Sequence, residues 1–61
     1  MNKFIIYPDG IVKDDAGKLI FQSSISQQDA REALHQTIEE RGLVIDEEWE
    51  MDDDSIEVTL K

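Results

Sequence analysis

Residues 26–43 read SQQDAREALHQTIEERGL, and this stretch decides the architecture. Ser26 is a good helix N-cap, and Asp29 three residues later completes a capping-box pattern that occupies otherwise orphaned amides. Ile25 before the cap and Ala30 stand where a hydrophobic staple would place them. Ala30, Ala33, Leu34 and Ile38 then recur at helical spacing and make one narrow apolar stripe. Gly42 suits the left-handed position just past the end. Leu43 and Ile38 occupy the two places whose side chains meet in a Schellman closure. Start and stop signals agree on a helix from about Gln27 to Arg41.

A single apolar stripe needs an apolar partner, and the flanks supply it as strands. Upstream, Phe4-Ile5-Ile6-Tyr7 is β-branched and aromatic and ends at the turn residues Pro8-Asp9-Gly10. Ile11-Val12-Lys13 leads into Asp14-Asp15-Ala16-Gly17, a hairpin connection, and Lys18-Leu19-Ile20-Phe21 returns. Downstream, Leu43-Val44-Ile45 is followed by acids interrupted by Trp49 and Met51. Asp52-Asp53-Asp54-Ser55 is a turn by composition. Ile56, Val58 and Leu60 then alternate with Glu57 and Thr59, as a half-buried strand should.

The last segment therefore predicts a hairpin with an apolar face of Trp49, Met51, Ile56, Val58 and Leu60. Its wet face is Glu48, Glu50 and Glu57. The whole chain, 1–61, reads as one α+β domain. It is a small antiparallel sheet of four to five short strands with one helix across one face, in the order β-β-(β)-α-β-β. One helix covers one sheet face only, yet Phe4 and Ile6 point one way while Ile5 and Tyr7 point the other. Leu19-Ile20-Phe21 poses the same difficulty. A second apolar face wants cover by loops, a second copy or a partner.

Composition narrows the function classes. Sixty-one residues allow one domain with a thin stability margin. There is no cysteine and only one histidine, His35, so disulfides and a zinc site are not expected. The charge of −9 pushes towards disorder, but the apolar side chains stand in short runs separated by turns, which disordered acidic tails lack. No stretch resembles a signal peptide or a membrane span, which leaves the cytoplasm as the default compartment.

Catalysis needs a base set against a nucleophile with something to orient it. Ser26 is explained as a cap, and His35 flanks the stripe beside Leu34 or faces solvent. The abundant carboxylates lack room for the cleft that would raise one of their pKa values. No catalytic residue and no cofactor is expected. Asp14-Asp15 and Asp52-Asp53-Asp54 offer oxygen donors, but no window has the alternating donors, central glycine and closing glutamate of an EF-hand, so no metal site is expected. Six bases, none adjacent to another, against fifteen acids would repel nucleic acid.

What remains is where the acid lies. Residues 1–45 carry seven acids and five bases; residues 46–61 carry eight acids and Lys61. The eight are Asp46, Glu47, Glu48, Glu50, Asp52, Asp53, Asp54 and Glu57. Like charges facing each other across a hairpin cost stability, and no base in the run offsets them. A strand rises about 3.3 Å per residue, close to the ~3.4 Å between phosphates along one DNA strand. These residues are thus the expected partner-binding set of an acidic, non-enzymatic module. It would be an inhibitor that mimics nucleic-acid charge and blocks a protein with a basic, nucleic-acid-binding surface. In size and charge alone, with no shared motif, the chain is similar to small phage inhibitors of host enzymes. The alternative is a small homodimeric assembly module joined through the spare apolar sheet face, its acids serving solubility. Trp49 is either an anchor within the acids or, as the alternation favours, a core residue beside Met51.

Overall fold

The computed structural model describes residues 2–23 and 26–61. Five strands and one helix follow the order β1 (Lys3–Ile6), β2 (Ile11–Asp14), β3 (Leu19–Gln22), α1 (Gln27–Glu40), β4 (Ile45–Glu50) and β5 (Ile56–Leu60). All neighbours pair antiparallel in the sheet order β3-β2-β1-β5-β4, so β1 is central and β3 and β4 are the edges. The helix carries the chain from one edge to the other across one face.

Helix α1 forms where its signals place it. The Ser26 hydroxyl accepts from the Asp29 amide at 3.2 Å, and the Asp29 carboxylate accepts from that hydroxyl. At the other end Leu43 donates to the Ile38 carbonyl and Gly42 (φ +72°) to that of Glu39, which is the Schellman pair. Ala30, Leu34 and Ile38 are buried, one every four residues, while Ala33 is exposed, so the stripe is narrower than its spelling suggests. The staple expected at Ile25 lies outside the described residues. At 14 residues and largely polar, this helix is neither long nor apolar enough to cross a membrane.

Under the helix lies the core: Phe4 and Ile6 from β1, Val12 from β2, and Ile56, Val58 and Leu60 from β5. Alternation along each strand sends the intervening residues to the far face, so β1, β2 and β5 are buried at every second position. The run Leu19-Ile20-Phe21 escapes this rule through a β-bulge. Val12 pairs with Phe21 but Lys13 with Leu19, which leaves Ile20 as the extra residue. Ile20 and Phe21 both pack against the core, and Leu19 alone, 54% exposed, faces away.

The three hairpin loops share one design. In each, three residues connect a pair joined by its own hydrogen bond: Tyr7 to Ile11, Asp14 to Lys18, and Met51 to Ser55. In each, the third loop residue also donates back to the first strand and has positive φ: Gly10 at +89°, Gly17 at +81° and Asp54 at +70°. Asp9 and Asp53, the middle residues of two loops, accept from the amides of Ile11 and Ser55. Buried Asp14 accepts from Ala16 and Lys18, both at 2.9 Å. Carboxylate oxygens of Asp14 and Asp53, both among the candidate cation donors, are thus taken up by turns.

The β4–β5 loop corrects the faces expected of the last hairpin. A four-residue turn over 52–55 would set Trp49 opposite Val58. The three-residue loop 52–54 instead sets Glu48 opposite Val58, Trp49 opposite Glu57 and Glu50 opposite Ile56. One residue of slip turns every side chain over. Glu48 and Glu50 share the helix-covered side, and Trp49 shares the open side with Glu57. A second bulge, at Asp46, then returns Ile45 to a place opposite Leu60 and against the core.

Candidate functional site: an acidic sheet edge

The slip in β4 separates the eight acids into four environments. Glu48 is turned inward beneath the helix, apart from the exposed acids. Its carboxylate accepts from Arg31 Nε at 2.6 Å and lies 2.9 and 3.1 Å from His35 Nε2, with its side chain only 14% exposed. Arg31 and His35 stand one turn apart on α1, so a single helix face supplies both partners. They are partners of Glu48 that composition passes over. Two nitrogen-bearing side chains at this spacing, beside the apolar stripe, were the available signal.

Glu57 occupies the second environment, half-buried on the open sheet face between Ile5 and Trp49. Asp46, Glu47 and Glu50 lie along β4, the outer strand of the sheet, and all three are exposed. Glu47 donates its amide to Thr59 Oγ1 at 3.1 Å, and its carbonyl accepts from the same hydroxyl, so Thr59 bridges the ladder beside the bulge. Asp52, Asp53 and Asp54 form the exposed loop that continues this edge.

The loop is held firmly for so short a connection. Gln27, the first residue of α1, donates through its side-chain amide to the Asp54 carbonyl at 2.8 Å and to the Ile6 carbonyl at 3.1 Å. Asp53 accepts from both the hydroxyl and the amide of buried Ser55, and these bonds hold its carboxyl below the ordinary value of 3.8. The helix start, the central strand and the loop are therefore one connected unit.

Six exposed acids remain on one margin: Asp46, Glu47, Glu50, Asp52, Asp53 and Asp54. Among the described residues the ion pairs within 4 Å involve Glu48 alone. No three acids or histidines among them come together as a group that could hold a metal ion. The margin carries charge without local neutralisation, on a strand whose outer hydrogen-bonding groups have no neighbour in the sheet. Charges and a bulge on such a strand discourage pairing with another edge. Compared with family models, with curated proteins and with solved structures, the chain matches none.

Proposed function

We propose that the chain is an acidic protein-binding module, whose β4 edge and β4–β5 loop occupy a basic, nucleic-acid-binding surface on another protein and block it. The observation that carries this reading is the sorting of the acids. Glu48 is ion-paired with Arg31 and within hydrogen-bond distance of His35, while the six on the margin have no base within ion-pair distance among the described residues. Clustered unpaired charge in a domain of this size is held against its own repulsion. A complementary basic groove relieves that repulsion and is steered towards it from a distance. The loop clamp by Gln27 and Ser55 keeps the charges in place beforehand, which lowers the ordering cost of binding.

The test uses immobilised 61-residue chain and cell lysate. The comparison is a variant carrying Asp46→Asn, Glu47→Gln, Glu50→Gln and Asp52→Asn, which leaves Glu48 and its partners intact. Wild type is expected to retain a nucleic-acid-binding protein that duplex DNA or RNA displaces and that elutes as salt is raised. The variant should lose it. Equal retention by the variant, or retention that nucleic acid does not compete away, refutes the reading.

A further inference from the structure

The sheet face away from α1 is patterned in a way that its acidity conceals. One register row crosses all five strands: Leu19 on β3, Lys13 on β2, Ile5 on β1, Glu57 on β5 and Trp49 on β4. Strands lie about 4.8 Å apart, so Lys13 and Glu57 flank Ile5 at equal distances, and Leu19 and Trp49 close the two ends. The row is symmetric in apolarity and antisymmetric in charge about Ile5. Leu19 and Trp49 are 54% and 41% exposed, while Ile5, Lys13 and Glu57 are partly so.

We propose that this face is self-complementary and that two copies of the chain dimerise through it, sheet on sheet, about a two-fold axis running along β1. Rotation by a half-turn about that axis exchanges the two ends of the row. Lys13 then meets Glu57 of the second copy, Glu57 meets Lys13 of the second copy, and Ile5 meets Ile5. Leu19 meets Trp49 at both ends. An isologous contact requires this reciprocity, and a charged row satisfies it only when cation and anion sit at mirrored places. Stacked sheets lie about 10 Å apart with strands nearly aligned, within reach of these side chains. Lys13 is already drawn over the face, its amine 5.5 Å from the Tyr7 ring centroid. Lys3, two residues along β1, lies near the end of the strand, where its long stem lets the amine reach solvent.

The rival route for self-association is edge pairing, and Asp46, Glu47 and Glu50 oppose it at β4. Five short strands offer on the order of 500 Å² per copy, below the ~800 Å² of a standard stable interface. The dimer is accordingly a weak one. This inference rests on the row and not on the six acids of the margin, of which Glu47, opposite Thr59, also faces the open side.

Analytical ultracentrifugation of the full chain decides it, from about 5 µM to 1 mM at physiological ionic strength. Wild type should pass from monomer to dimer with a dissociation constant on the order of 100 µM. Lys13→Glu and Glu57→Lys each juxtapose like charges and should each weaken the dimer at least about tenfold. Mixed in equal amounts, the two variants present opposite charges at both contacts, so the heterodimer should recover wild-type affinity within about threefold. Circular dichroism checks that each variant is folded. Should one fail to fold, the double variant Lys13→Glu/Glu57→Lys takes its place, because it restores both contacts in a single sequence and should dimerise. A wild-type chain that stays monomeric at the highest concentration overturns the proposal. So does a mixture that associates no better than its weaker component.

Discussion

Asp54 does alone what glycine does in the other two hairpin loops. Its φ of +70° lies in the left-handed region, where a side chain costs about 1–2 kcal/mol and aspartate is among the better tolerated residues. Closing the loop does not need the carboxylate: it is done through the Asp54 amide and carbonyl, to Met51 and from Gln27. Asp54→Gly should therefore stabilise the fold by about 0.5–1 kcal/mol relative to Asp54→Asn, the neutral control that keeps a side chain. Thermal melts of both variants measure it, and a difference of about 2–8 °C is expected. A glycine variant that melts at or below the asparagine variant would show that the loop has no strain to release.

At the scale of elements, the β4–β5 hairpin shows how one loop residue decides which side chains a strand buries. Helix α1 and the first three strands are legible because their punctuation is explicit. Ser26 and Gly42 bound the helix, while Gly10 and Gly17 mark the left-handed residue of each early loop. The last loop has no glycine, so Ser55 reads as turn and the alternation of Trp49 with Ile56 and Val58 reads as one face. The loop instead closes on the Met51–Ser55 hydrogen bond, Ser55 is buried just ahead of β5, and Trp49 faces outward. The candidate site inherits the same slip. Its exposed margin was readable from charge alone, but Glu48's ion pairs depend on a register that composition does not encode. The energetic consequence is measurable. Trp49→Ala should cost under about 1 kcal/mol, whereas Leu34→Ala, in the core beneath the helix, should cost about 2–5 kcal/mol. Urea titrations at a few micromolar, below the dissociation constant expected of the proposed dimer, compare them. A Trp49→Ala penalty as large as that of Leu34→Ala would return the indole to the core.

Over the whole molecule, the charges divide into a small paired set and a larger set that repels itself, and salt separates the two. At ~0.01 M ionic strength the Debye length is about 30 Å, longer than the 26 Å greatest extent of the Cα trace, so every acid on the margin feels every other. At ~1 M it falls to about 3 Å, less than the spacing between strands. The Glu48 cluster is screened less, because its carboxylate is tucked under the helix. The melting temperature should therefore rise with sodium chloride; a fall would mean that the acids as a whole sit in stabilising pairs. Acid acts through Asp53. Its carboxyl is held below 3.8 by the Ser55 hydroxyl and amide, so the stability it contributes is present above that pH. That contribution is lost as pH falls through the lowered value in the folded chain. The melting temperature should accordingly decline as pH falls through that range. Asp53→Asn should make the acid limb shallower, since asparagine has no proton to take up. An acid limb of unchanged slope in that variant would place the titrating group elsewhere.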